Sequence, residues 1–255
     1  MKTEKIPVTG KRIMLIGGYG AEVVGCGGCL AKNVLAGGVS HATLAFVGEK
    51  MRNDLAKSAE ILGVTLEYLD LDTAEISVSV EEKIKVVRAI RAFRPDILIT
   101  QDPELIIADF DPGRRPLMEL TLESIALAGR EFAIEETKPY KPYSGATLYY
   151  MTHDKPNCLV DIRSVWDKKC EAMDALEAQL TFSAEHFERM FTEAELSALV
   201  PDWHELPGYY EKGRAATYEL GRAAAMFFGA CGHSGTLLSE TYRKQELFEL
   251  DNLIV

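Results

Sequence analysis

The chain has 255 residues, 47% of them hydrophobic and 26% charged, which is ample for a large buried core. Its formal net charge of −11 comes without any basic run, so a nucleic-acid backbone would be repelled, and the expected counterpart is a small polar ligand or a protein partner. Five sparse cysteines fit a reducing, cytoplasmic setting, and Met1-Lys2-Thr3-Glu4-Lys5 leads into a strand, with no apolar segment that predicts a signal peptide or membrane span.

The first expected element is a strand over 12–17, built on Ile13-Met14-Leu15-Ile16. A glycine-rich run from Gly17 to Gly28 follows it and opens a helix over 22–37 that carries Leu30, Ala31, Val34 and Leu35 at helical spacing. Strands at 42–47, 65–69 and 96–100 then alternate with helices at 50–62 and 80–93. Gly37-Gly38 and Gly63 close two of the helices where a positive φ is usual, and Arg94-Pro95 closes the third. This rhythm predicts an α/β, Rossmann-like, mostly parallel sheet with helices on both faces over residues 1–135. In such sheets the binding crevice lies beyond the carboxyl ends of the strands, which gathers residues 17–25, 48–54 and 101–115 around one site.

A helix over 115–130 comes next, then a connector, Lys138-Pro139-Tyr140-Lys141-Pro142-Tyr143, and strands at 146–151 and 158–162. Helices are expected over 163–181, 183–190 and 193–199, an exposed loop over 201–213, and a last helix over 214–229 whose Tyr218, Met226, Phe227 and Phe228 belong to core or a subunit interface. Residues 136–255 thus read as a C-terminal α/β elaboration of a single domain.

Several short motifs invite a functional reading. Gly18-Tyr19-Gly20 begins like a dinucleotide fingerprint, yet the third glycine falls on Val23 and no acidic residue ends the second strand, where Val47-Gly48 stands. An anion at this helix start stays open on backbone N–H groups alone. Cys26-Gly27-Gly28-Cys29 has dithiol spacing, against which stands the ordinary use of small buried cysteines and glycines in close packing. His41, His186 and His204 are expected at the surface, and Gly232-His233-Ser234-Gly235 reads as a loop, because an adjacent Ser-His pair does not form a catalytic dyad.

The chain resembles the LmbE/PIG-L family of zinc-dependent N-deacetylases. The resemblance is carried by Ile16-Gly17 through Gly25-Cys26-Gly27-Gly28, Val47-Gly48-Glu49, and Ser58-Ala59-Glu60-Ile61-Leu62-Gly63-Val64. It continues in Arg94-Pro95-Asp96-Ile97-Leu98-Ile99-Thr100-Gln101-Asp102-Pro103, Val160-Asp161-Ile162 with Trp166, Lys168, Lys169, Ala172 and Gln179, and Ser239-Glu240-Thr241-Tyr242. It implies an ancestral activity on N-acetylglucosamine-containing and related small glycosides, and trimeric or hexameric assembly.

The departures fall on the positions that the resemblance assigns to chemistry. The family's first motif, His-Pro-Asp-Asp-Glu, brings two zinc ligands and the general base; here it is Gly18, Tyr19, Gly20, Ala21 and Glu22, and the glutamate alone survives. Its second motif, His-Pro-Asp-His, brings the last ligand; here it is Asp111-Pro112-Gly113-Arg114. A catalytic zinc needs about three protein N or O ligands plus an open position, so zinc is not supported by these residues and no cofactor is expected. Two readings of the acidic stretch stay open: Asp109, Asp111 and Glu22 with His153 rebuild a site suited to Mg²⁺ or Mn²⁺, or the two aspartates shape a turn around Pro112-Gly113. Arg114 and Arg115 either clamp a carboxylate or phosphate, or pair internally with Asp109, Asp111 or Glu22.

Two function classes stay open. One is a non-hydrolytic relative that binds a small polar or anionic, sugar-like ligand through Gly18, Tyr19, Gly20, Arg52, Arg114 and Arg115, or serves as a partner subunit in a homo-oligomer or with a related chain. The other is an enzyme of altered mechanism on a sugar-like or N-acyl glycoside substrate, with Glu22, Asp111, Arg114 and His153 as candidate catalytic residues.

Overall fold

The computed structural model describes residues 9–231 and 235–245, with the side chains of Phe228 and Cys231 excepted. One seven-stranded sheet runs through both halves of the chain in the order β3-β2-β1-β4-β5-β7-β6. Its strands are β1 (Arg12–Gly17), β2 (Val39–Leu44), β3 (Val64–Tyr68), β4 (Ile97–Gln101), β5 (Thr147–Met151), β6 (Cys158–Asp161) and β7 (Ser239–Lys244). The first five pair in parallel, and β7 is antiparallel to both β5 and β6.

Helices cover both faces because the central strand is apolar on both sides. Ile13 and Leu15 of β1 join one core with Leu30, Leu55, Leu62 and Ile162, while Met14 and Ile16 join the other with Val86, Val87, Ile90, Leu98 and Leu117. The first core is closed by α1 (Ala21–Gly25), α2 (Gly27–Leu35), α3 (Glu49–Leu62) and α7 (Trp166–Asp174), and the second by α4 (Val80–Phe93) and α6 (Arg114–Ala128). Between β4 and α6 lies the short α5 (Pro103–Ile106), capped by the Asp102 side chain on the Glu104 N–H. A third, smaller core around the fully buried Trp203 joins α8 (Glu177–Met190), α9 (Glu193–Leu199) and α10 (Tyr209–Met226).

The predicted caps are present: Gly63 has φ 74° at the end of α3, Gly37 has φ 83° after α2, and Arg94 takes the left-handed conformation that ends α4. The buried guanidinium of Arg91 finishes α6 by donating to the carbonyls of Ala128 (3.0 Å), Arg130 (2.7 Å) and Phe132 (2.9 Å). A cation at a helix C-terminus satisfies carbonyls that the helix itself leaves open. Among the described residues, no helix is long and apolar enough to cross a membrane.

Several sequence expectations shift. The helix over 22–37 is two helices, broken at Cys26, where the freed N–H groups of Gly28 and Cys29 turn to the Glu240 carboxylate (2.7 and 2.8 Å). A β-carbon on Gly28 would lie 2.5 Å from Ile162 Cγ2, so that approach needs glycine. Strand β2 begins three residues earlier than its apolar run suggests, since its polar Ser40 is satisfied by Leu30 O and Asn33. The stretch 201–213 is not an exposed loop. Trp203 is buried in it, and Gly213 lies inside α10, where a β-carbon would meet Leu180 O at 1.9 Å. The helix over 163–181 is a 3₁₀ turn plus α7, interrupted before α8 at Leu176. His41, expected at the surface, has a side chain 13% exposed and stacks on Phe93. His186 and His204 are exposed as expected. Residues 232–234 of the Gly-His-Ser-Gly motif lie outside the described residues.

Candidate functional site

The strand order turns back between β1 and β4, and their carboxyl ends open on a crevice of about 250 Å³ at that switch point. Glu22 reaches it from α1, Gln101 and Asp102 from the end of β4, Leu105, Ile106 and Asp109 from α5 and the loop after it, Arg114 from the start of α6, and Met151 and His153 from beyond β5. Three segments far apart in sequence thus meet because the parallel sheet brings their strand ends together.

Glu22 is the centre of the arrangement. Its Oε2 accepts the Gly18 N–H at 2.8 Å, and its Oε1 accepts Gln101 Nε2 at 3.0 Å and faces Arg114 Nη1 at 3.3 Å. The carboxylate also explains Gly17, where a β-carbon would come within 2.2 Å of Glu22 Oε2. Burial raises the pKa of Glu22, and the Arg114 guanidinium opposes that rise. Arg114 Nε lies 3.6 Å from Asp109 Oδ2, and its guanidinium stands 5.4 Å from the centroid of the Tyr19 ring.

Asp109 and Asp111 form the turn that their spacing suggested. Asp109 Oδ1 accepts the Asp111 N–H (2.8 Å), and Asp111 Oδ1 accepts the Gly113 N–H (2.9 Å). The other Asp111 oxygen accepts the Tyr19 hydroxyl at 2.7 Å, and burial with this bond pushes the Tyr19 phenol well up. Of the expected site residues, Glu22, Arg114 and His153 line the crevice, while Tyr19 and Asp111 pair beside it. Gly18 contributes its N–H to Glu22. Gly20 borders a separate small cavity with Met51 and Leu55. Arg115 donates to the carbonyls of Ile107 and Asp109 (3.4 Å each). Arg52 is not part of the crevice lining: its guanidinium is engaged by Val47 O, Asp70 and the Tyr68 ring.

A second groove, of about 330 Å³, shares Met151 and His153 with the first and continues along Lys169, Ala225, Ser239 and Glu240. Its charges are mutually satisfied. Glu240 binds Lys169, the Tyr242 hydroxyl and the start of α2, and so fixes the C-terminal strand to the glycine-rich loop. Cys26 and Cys29 lie in the same packing. Burial pushes both thiols up, Cys29 to about 12, which is the reverse of an activated dithiol.

The chain is 34% identical to a diacetylchitobiose deacetylase of Thermococcus kodakarensis over 129 residues, 48% of this chain and 47% of that protein. That match supports the resemblance to the LmbE/PIG-L deacetylases. No family model matches the chain, and it spans about half the length of the curated relative it matches. The fold is shared with the N,N'-diacetylchitobiose deacetylase of Pyrococcus horikoshii, at a TM-score of 0.67 and 21% identity over 92% of this chain and 84% of the other. The 4-carboxy-2-hydroxymuconate hydratase of Pseudomonas putida is also similar, at a TM-score of 0.61 and 18% identity over 95% and 99%.

The residues of this LmbE/PIG-L-like chain do not fit the zinc that the family resemblance implies. Gly18 and Ala21 offer no donor, and the position of the last ligand holds a guanidinium that is itself paired with Glu22. Among the described residues no three His, Cys, Asp or Glu side chains are grouped to hold a metal ion. Gln101 falls within the 101–115 stretch expected at the crevice but is not among the candidate site residues of the sequence. Its place at the end of β4, directly before Asp102-Pro103, was the available signal.

Proposed function

We propose that this chain is a binding protein for a small, polar, sugar-like ligand, keeping the deacetylase-like crevice without the zinc-dependent hydrolysis. The observation that carries the reading is Arg114, which stands where the family has its last metal ligand and pairs with Glu22 at 3.3 Å and Asp109 at 3.6 Å. A cation supplied by the chain replaces one supplied by solution. Relatedness to sugar deacetylases supports the sugar-like ligand class. With Arg114 already engaged, an anionic ligand draws less support than a neutral or donor-rich one. A reducing, cytoplasmic setting and assembly with copies of itself or with a related subunit belong to the same proposal. The test is a thermal-shift series on metal-stripped protein against glycosides, sugar acids and nucleotides: a rise with glycosides is expected, and a flat response to all three contradicts it.

The second reading is an enzyme of altered mechanism. Glu22 favours it, because a buried carboxyl with a raised pKa beside a guanidinium is poised for proton transfer, with His153 at the rim. The hydratase and the deacetylase among the similar structures place more than one chemistry on this fold. Turnover of an N-acyl glycoside that survives chelation and is abolished in Glu22→Gln would favour the enzyme over the binder.

A further inference from the structure

Helix α10 is held along its first half. Lys212 pairs with Glu188 of α8, Gly213 lies against Leu180 O, and Ala216 is buried in the third core. The second half has no such support. From Tyr218 to Ala224 seven consecutive residues are exposed, almost two full turns, whereas a helix packed on its own domain hides one face throughout. On one side of this stretch Gly221, Ala224 and Ala225 line the second groove. Another side carries Tyr218, Glu219, Arg222 and Ala223, which share a face at helical spacing. Beside that face lies a depression of about 280 Å³, lined by Val200, Pro201, Ala215, Tyr218 and Glu219, and its remaining charges, Asp174 and Arg214, pair with each other.

The charges on this face say what covers it. Glu219 and Arg222 are exposed, and among the described residues neither has a hydrogen bond or an ion pair. They stand three residues apart, one of each sign, so the face is neutral in a chain of net charge −11. Two copies that repel each other over most of their surfaces meet here without that repulsion. A second α10 laid antiparallel, about a two-fold axis midway between positions 220 and 221, sets Glu219 against the partner's Arg222 and Arg222 against the partner's Glu219. The same operation sets Tyr218 against the partner's Ala223, large against small. A parallel copy sets like charge against like. We infer that this face of α10 docks on the same face of a second copy of the chain, in an antiparallel, isologous dimer seated beside the 280 Å³ depression. This contact rests on the self-assembly proposed above and gives it a surface; it is independent of the ligand that the crevice takes.

The experiment is sedimentation equilibrium of the chain, in the wild type, Glu219→Arg, Arg222→Glu, the double reversal, and an equimolar mixture of the two single variants. All the substitutions are at exposed positions, and circular dichroism checks that the fold is unchanged. A face of two helix turns falls below the roughly 800 Å² per partner of a standard interface, so a wild-type dimer that dissociates at about 10–100 µM is expected. Each single reversal sets like charges together twice and is expected to weaken the dimer about tenfold or more. The double reversal restores opposite charges and is expected to recover it, and the mixture is expected to form the mixed dimer. A wild type that stays monomeric over this range overturns both the contact and the self-assembly reading, and leaves the face to another segment of the chain or to another protein. An assembly that ignores the single reversals overturns the α10 contact and leaves self-assembly standing. Weakening that neither the double reversal nor the mixture repairs overturns the antiparallel pairing.

Discussion

Removing Arg114 exposes the substitution on which the functional reading depends. At 3.3 Å and an effective dielectric constant near 20, the Arg114–Glu22 attraction is about 5 kcal/mol gross. Desolvation of both groups returns most of it, and the contact to Asp109, whose side chain is 35% exposed, adds little. A net loss of about 1–2 kcal/mol is expected for Arg114→Ala, or about 2–8 °C in Tm for a chain of this size. The loss is also pH-dependent. The folded-state pKa of Glu22 lies above its unfolded value, so its protonation favours the folded state below the ordinary glutamate range, and that contribution is lost as pH rises through the raised value. Without the guanidinium the rise is larger, so the deficit of Arg114→Ala is greatest at neutral pH and shrinks on acidification. Urea denaturation of wild type, Arg114→Ala, Glu22→Gln and the double variant at two pH values measures this. A coupling of about 1 kcal/mol between the two sites is expected at neutral pH, and additive costs that ignore pH would refute the pairing.

Further outcomes follow from the packing. Arg91→Met leaves the terminal carbonyls of α6 unmet in a buried place and is expected to cost about 3 kcal/mol or more in urea denaturation; a cost under about 1 kcal/mol would contradict the capping role. Gly28→Ala puts a β-carbon 2.5 Å from Ile162 and against Glu240, so a loss of about 1–3 kcal/mol is expected, whereas wild-type stability would mean that the loop approaches less closely. Cys26 and Cys29 are expected to react with a thiol reagent only after unfolding, given that burial raises both; rapid modification of two thiols in the native protein would revive the dithiol reading.

The sheet was legible because its signals are local. Strand β1, with Met14 and Ile16 on one face and Ile13 and Leu15 on the other, and the helices closed by Gly63 and Arg94, follow from periodicity and capping alone. The late strand β7 was not legible. Its Ser239-Glu240-Thr241-Tyr242 has weak apolar alternation, and it is a strand because β5 and β6 flank it and Glu240 anchors to a helix start more than two hundred residues earlier. Gly213 read as a loop signal because sequence does not reveal that Leu180 O lies against it. At the site, Glu22 and Arg114 stand out because the family resemblance aligns its two motifs on them, and His153 because it follows a strand; the structure brings the three to one crevice. Arg52 was placed there through its position after β2, but Asp70 and Tyr68 of the neighbouring strand's end hold it elsewhere. Gln101 lies in a stretch expected at the crevice, but a lone glutamine at a strand end carries no motif that gives it a role; that role appears only with its partner on α1.

In the proposed function Arg114, paired with Glu22 and Asp109, takes the place of a metal. Calorimetric titration of zinc into the chelator-treated protein tests it most directly. No stoichiometric binding is expected in the wild type. One zinc per chain bound at about micromolar affinity or tighter would contradict it.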